Sequence, residues 1–332
     1  MQPIPSVQNV DFQQFHNEIV TANRPMVIKS VVADWPAVQA AQQSPKAIVD
    51  YLKAFDIDAF VSALVGKPDI NGRFFYTDDL TDLNFQRTQV TLGIALDRLL
   101  TIADHQDPYA IALQAIQLHQ VLPSFKPSNP QPLLEPSIEP TMWVGNRACV
   151  APHYDIHDNL ACVVAGQRKF TVFPPEQINN LYPGPALNAP GGVPVSMVDI
   201  SKPDLDLYPN YAKAEAAAMS AVLEPGDGIF IPALWWHGVD SLQDLNILVN
   251  YWWGGDTKTK VSPNDSLLHS MMSIANLDQN KRQAWQQYFN YYVFKTSDDP
   301  KGHLPTDLKD IVANLSPEQE AELRKFLIKQ LQ

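Results

Sequence analysis

The segment APHYDIHDN places His153, Asp155, His157 and Asp158 within six residues. Residues two apart on an extended strand point to the same face, so His153 and Asp155 can chelate one ion. An isolated HxD pair arises often by chance, and a lone histidine is more commonly a hydrogen-bonded residue than a ligand. A second segment, VLEPGDGIFIPALWWHGV, changes the weighing. It carries a Pro225-Gly226 turn, an apolar strand ending at Pro232, and then His237 after two tryptophans. Two imidazoles and one carboxylate, with no thiolate, make a facial set that leaves three positions open on Fe(II), as needed where a co-substrate and O2 must both bind. The set suits such a centre better than a closed structural zinc site. His157 would share the face of His153 and Asp155 if the strand continued, as an alternative ligand or a substrate contact; otherwise it is a hydrogen-bonded residue at the mouth of the site. Trp235, Trp236, Trp252 and Trp253 read as core and pocket-wall aromatics, and Asp227 as a turn residue.

These residues need a scaffold of short strands. From Thr141 to Gly254 the segments TMWVGN, ACVAPHYD, ACVVAG, RKFTVF, SAVLEP, GIFIP and NILVNYWW are separated by Gly, Pro and Asn, the pattern of a sandwich or barrel. Two irregular stretches, LYPGPALNAPGGVPVS and DLDLYPN, interrupt them. Residues 1–120 read as mixed α and β. Helices are expected over Asp11–Val20, from Ser44 onward and over Thr91–Ala103, and strands at MVIKSVV, DAFVSALV and GRFFYT. Six prolines between Val121 and Pro140 exclude a regular helix or central strand there and mark a covering segment at the start of a core spanning residues 121–258. Residues 259–332 show three amphipathic helical patterns, the last starting at Ser316-Pro317-Glu318 and pairing Glu320 with Arg324. Such a tail serves as a homodimer interface or packs on its own domain.

The stretches PHYDIHDNLACVVAGQRKFTVFPPEQINNLYPGP, GDGIFIPALWWHGVDSL and NILVNYWW resemble the JmjC-type cupin-like oxygenases, particularly their asparaginyl hydroxylase branch acting on hypoxia-inducible factor. The likeness extends to RPMVIKSVVADWPAV and so covers most of residues 20 to 255. It implies a mainly β fold, a double-stranded β-helix (jelly roll) with N-terminal α/β additions and a C-terminal helical tail. It also implies Fe(II), with 2-oxoglutarate and O2 as co-substrates, and C–H oxidation coupled to succinate formation. Carried over residue by residue, it makes His153, Asp155 and His237 the iron ligands and sets Asn159 and Asn250 beside the metal and co-substrate. The family anchors the far carboxylate of 2-oxoglutarate with a basic residue. In the asparaginyl hydroxylase branch this is a lysine, where this chain has Arg168 with Lys169 next to it. Strand alternation lets only one of the two point inward, and an arginine grips a carboxylate bidentately. At Val150 the same branch has a threonine that touches the co-substrate.

The formal net charge of −12 disfavours capture of nucleic acid or an anionic membrane, and 45% apolar residues suffice for a large core. Cys149 and Cys162 are the only cysteines, too few for a disulfide framework. The N-terminus lacks a basic region followed by an apolar one, and no apolar run is long enough to span a bilayer, so a cytoplasmic location is expected. The expected substrate is a protein or peptide side chain, and after it a small molecule. Two rival classes are a metal-dependent cupin isomerase or hydrolase and a catalytically silent binding module.

Overall fold

Between Pro140 and Trp253 the described residues form eight strands, and their alternation decides which side chains meet. Among the described residues the strands are β1 (Gln2–Pro3), β2 (Ser6–Gln8), β3 (Met26–Lys29), β4 (Phe60–Gly66), β5 (Phe85–Thr91), β6 (Ala110–Gln117), β7 (Pro140–Gly145), β8 (Ala148–Tyr154), β9 (Asp158–Ala165), β10 (Arg168–Phe173), β11 (Met219–Leu223), β12 (Gly228–Ile231), β13 (Trp236–Ser241) and β14 (Asn246–Trp253). This computed structural model describes residues 1–185, 189–190, 192–254, 261–295, 305 and 316–330. They fall into two units, Met1–Gly255 and Asp256–Gln332.

The strands of the first unit make two sheets. One has five strands in the order β1-β11-β10-β13-β8, the other nine in the order β2-β3-β12-β9-β14-β7-β6-β4-β5. Strands β7, β9, β12 and β14 lie in the larger sheet and β8, β10, β11 and β13 in the smaller, as in a double-stranded β-helix. Alternate residues Ala161, Val163, Phe170, Val172, Ile229, Ile231, Val239 and Leu248 fill the space between the sheets. The other face of the larger sheet offers Leu160, Cys162, Val164, Ile247 and Val249 to a cluster that includes Val38, Ile48, Leu52, Leu96 and Leu99 of three helices, Pro36–Gln43, Pro45–Lys53 and Leu92–Ile102. The outer face of the smaller sheet buries Phe173 and Trp236 against Leu181, Val198 and Tyr211. Each fully buried large apolar side chain contributes roughly 1.5–3 kcal/mol, so the strand faces are fixed by burial on both sides.

Strands β4 to β6 continue the larger sheet through the β6–β7 pairing, which runs from Ala112↔Gly145 to Gln117↔Thr141. Ser44 is extended, ends the first of the three helices and caps the second, its hydroxyl accepting from Ala47 N at 3.1 Å ahead of Pro45. Asp227 holds the turn before β12 by accepting from Glu224 N at 3.1 Å, and ties it to β3 through Lys29 Nζ at 2.6 Å and Ser30 N at 3.1 Å.

Several elements differ from the sequence expectation. MVIKSVV gives only the short β3, because Ser30 turns into the left-handed region at φ 57°. GRFFYT is not a strand; isolated bridges at Arg73↔Cys149 and Tyr76↔Leu83 hold it, and its aromatics act as plugs in two small apolar clusters. The proline-rich segment contains one helical turn, Phe125–Ser128, seated by the buried Phe125. The helix expected over Asp11–Val20 starts at Phe12 under an Asp11 cap and continues as a π-helical turn over Phe15–Val20.

The second unit contains helices Pro263–Ser273, Gln279–Tyr292 and Pro317–Gln330 on the three periodic segments. Ser316 and Gln319 form a reciprocal capping box, Gln319 N donating to Ser316 Oγ and Ser316 N to Gln319 Oε1. Among the described residues no helix is long and apolar enough to cross a membrane.

Candidate metal and co-substrate site

His153 lies on β8 and His237 on β13, directly paired across the ladder, with ring centroids 4.4 Å apart. Their meeting depends on an irregularity. From His237 to Val239 is two residues, whereas the partners His153 and Val150 are three apart, so β8 carries one extra residue at Ala151-Pro152. A bulge of this kind re-aims a side chain, and here it brings His153 onto the inner face opposite His237. Strand β8 ends at Tyr154, and Asp155 follows as the backbone turns into the bend at Ile156-His157. One ligand atom from each of His153, Asp155 and His237 lies within 4.8 Å of the others. The strand does not continue to His157, which stays half-buried in the bend outside that group.

The donor chemistry of the three residues fits a divalent metal. His153 Nδ1 lies 3.0 Å from Ala151 O and His237 Nδ1 lies 3.1 Å from Trp235 O. A carbonyl only accepts, so each Nδ1 carries the proton and each Nε2 presents its lone pair to a metal. Burial, and then the neighbouring His153, push the His237 pKa below the usual imidazole range although Asp155 pulls the other way; the ring is the neutral ligand form. His237 Nε2 and Asp155 Oδ2 are 3.7 Å apart, beyond a hydrogen bond and suited to two ligands of one ion.

Asp155 is held by its surroundings. Its Oδ2 accepts from Trp252 Nε1 at 3.1 Å and from Asn159 Nδ2 at 3.3 Å. Asn159 Oδ1 accepts from Asn250 Nδ2 at 3.3 Å, and Asn250 Oδ1 from Trp143 Nε1 at 2.8 Å. Asn159, Asn250, Trp143 and Trp252 come from the inner faces of β9, β14 and β7, so one register aligns the chain of donors. Trp252, which the sequence presents as a pocket-wall aromatic, and Trp143, which it does not mark at all, act here as indole donors.

Arg168 opens β10 on the inner face shared with Phe170 and Val172, and Lys169 falls on the opposite face, half-buried. Arg168 is 7% exposed, and its Nε is buried with no hydrogen-bond partner. Among the described residues no carboxylate pairs with it. Burial lowers its pKa to about 10, which leaves it protonated at neutral pH. A buried, unpaired guanidinium calls for an anion, and a carboxylate is the group its planar fork matches. Arg168 pairs with Ser241 and Val172 with His237, so the cation and the triad lie four residues apart along one inner face, about 13 Å at strand rise. Val150 pairs with Val239 on the same face.

Comparison with known proteins is consistent with this geometry. The chain is 29% identical over 293 residues to a Homo sapiens bifunctional peptidase and (3S)-lysyl hydroxylase, covering 80% of this chain and 87% of that protein. It is 26% identical over 258 residues to a lysine-specific demethylase of Danio rerio, 75% of this chain and 58% of that protein. Over a shorter stretch of 112 residues it is 39% identical to a lysine-specific demethylase of Arabidopsis thaliana, 33% of this chain and 20% of that protein. The family model described as a cupin-like domain matches residues 12–259, and the chain belongs to that family.

Proposed function

We propose that the chain is an Fe(II)- and 2-oxoglutarate-dependent oxygenase that hydroxylates a protein or peptide side chain. The observation that carries this reading is the buried Arg168, unpaired among the described residues, on the same inner face as a triad of two histidines and an aspartate whose histidine Nε2 atoms are oriented to ligate. His153, Asp155 and His237 would hold the iron, and Arg168 the distal carboxylate of 2-oxoglutarate. Bound iron, with 2-oxoglutarate and O2 as co-substrates, would supply the oxidising power: one O2 oxygen goes into the C–H bond and the other into succinate as 2-oxoglutarate loses CO2. The chain's own residues position the groups. The two backbone carbonyls fix the imidazole tautomers, the Asn250–Asn159 relay and Trp252 fix the Asp155 carboxylate, and the apolar residues between the sheets exclude water from the inner end of the site. Neither histidine has to move a proton.

Relatives named lysyl hydroxylase and lysine-specific demethylase support a protein substrate and make lysine the first side chain to test. The net charge of −12 favours a cationic substrate over an anionic one. The two unpaired cysteines agree with a reducing, cytoplasmic setting. The second unit supports a homodimer, since its helices expose Met272, Trp285, Tyr288, Phe326 and Ile328.

The test is anaerobic addition of Fe(II) and then 2-oxoglutarate to metal-free protein, with the visible charge-transfer band as readout. The band is expected in the wild type, absent in His153→Ala, and shifted to much higher 2-oxoglutarate concentration in Arg168→Ala. No band, together with tight zinc binding, would sink the oxygenase reading in favour of a cupin hydrolase or isomerase.

A further inference from the structure

The turn that joins β12 to β13 carries a residue that its backbone does not favour. Trp235 N donates to Pro232 O at 3.2 Å, closing a four-residue turn, and Leu234 at its third position has φ 66°. Negative φ at the second position and positive φ at the third define a type II turn, where glycine or asparagine is the residue of choice. A leucine in this conformation is strained, because its Cβ crowds the neighbouring carbonyl. Burial does not compensate the strain, since Leu234 is 50% exposed. The backbone conformation is not held by packing of the leucine, which leaves its side chain available at the surface.

The location of the turn says what the side chain is placed to meet. Leu234 N donates to Asp155 O at 2.8 Å, and Ala233 N to Asp158 Oδ1 at 2.9 Å, so the turn is fastened to the bend that carries the carboxylate ligand. Asp155 is the more solvent-exposed of these two ligand candidates, its side chain 22% exposed against 5% for His237. Leu80 is the other leucine with positive φ among the described residues, and its turn holds none of the site residues. At Leu234 the strain coincides with a direct tie to a candidate metal ligand.

We propose that Leu234 is a specificity-determining residue, its exposed side chain forming an apolar wall beside Asp155 against which an apolar group of the substrate, next to the oxidised residue, packs. This rests on the reading of the site as a peptide-modifying oxygenase and narrows it to peptides with an apolar flank.

The experiment uses the full chain, Fe(II), 2-oxoglutarate and synthetic peptides centred on each oxidisable side chain with varied flanking residues. Oxygen incorporation is followed by mass spectrometry for wild type, Leu234→Gly and Leu234→Met. The Fe(II)–2-oxoglutarate band is recorded for each, so damage to the metal site is separated from loss of a substrate contact. For the peptides that wild type accepts, Leu234→Gly is expected to raise KM about tenfold with kcat changed much less, and to keep or raise Tm because the strain is relieved. Leu234→Met is expected to retain the wild-type KM. A wild-type KM in Leu234→Gly, acceptance of peptides regardless of flank, or a fall in Tm and kcat with KM unchanged would overturn the proposal and leave the oxygenase reading standing. A wild type that gives the absorption band and modifies no peptide would overturn the peptide reading and this wall with it.

Discussion

A guanidinium that is 7% exposed and unpaired among the described residues is a cost in the ligand-free protein and an asset once an anion arrives. Replacing Arg168 with Met removes the buried charge and keeps most of the apolar stem. Arg168→Met is therefore expected to raise the Tm of the metal-free protein while weakening 2-oxoglutarate binding by at least tenfold, the scale of hydrogen bonds to a charged group. Thermal shift with and without 2-oxoglutarate checks both; a lower Tm with unchanged affinity would show that the arginine is structural. The indole of Trp252 tests the carboxylate side. Trp252→Phe keeps a ring and deletes the N–H that reaches Asp155 Oδ2, so Fe(II) affinity is expected to fall about 10- to 100-fold, with the fold unchanged by circular dichroism. The three candidate ligands were legible because HxD and a distant His after an apolar strand are spacing signals. The Trp143 and Trp252 donors were not, because an indole reads as bulk until the strand face it occupies and the acceptor opposite it are known.

At the scale of elements, the strands with both faces buried were the easiest to read: RKFTVF and NILVNYWW coincide with β10 and β14 residue for residue. Strand β13 was hidden because its six residues start inside an aromatic pair and include Gly238, so His237 read as a residue delivered after a strand instead of one within it. The β8 bulge leaves no mark in composition, yet without it His153 and His237 would not share the inner face. Strand β5, FQRTQVT, exposes Gln86 to Gln89 at a sheet edge and lacks the apolar alternation that identifies a half-buried strand. Helix starts were better marked, since Ser44-Pro45 and Ser316-Pro317 combine a capping hydroxyl with proline at the first helical position. Ser44→Ala deletes the cap to Ala47 N and is expected to cost about 1 kcal/mol, a fall of roughly 2–4 °C in Tm, with no change in Fe(II) affinity. A parallel loss of iron binding would mean that this helix pair reaches the site through the larger sheet, which nothing in its packing requires.

At the scale of the whole molecule, the second unit poses the question that the first does not answer. Its helices show only weak segregation of apolar residues to a buried side: none of the described residues of Pro263–Ser273, Gln279–Tyr292 or Pro317–Gln330 is fully buried, while Met272, Trp285, Tyr288, Phe326 and Ile328 are about half exposed or more. Charge does not stand in the way of self-association there. Although the chain is strongly acidic, Glu318, Glu320 and Glu322 on the last helix are matched by Arg324, Lys325 and Lys329, and Asp278 by Lys281 and Arg282. Apolar surface with balanced charge associates by burial, so the proposed homodimer is expected to survive high salt, which screens ion pairs and strengthens apolar contact. Sedimentation equilibrium is expected to give twice the 37.1 kDa chain mass at both low and high ionic strength. Phe326→Glu and Tyr288→Lys, each placing a charge on an exposed apolar position, are expected to shift the mass toward one chain while the Fe(II)–2-oxoglutarate band persists. A wild type that sediments as a single chain would sink the homodimer and assign these helices to another partner. A dimer that falls apart in high salt would instead place ion pairs, not the aromatic faces, at its interface.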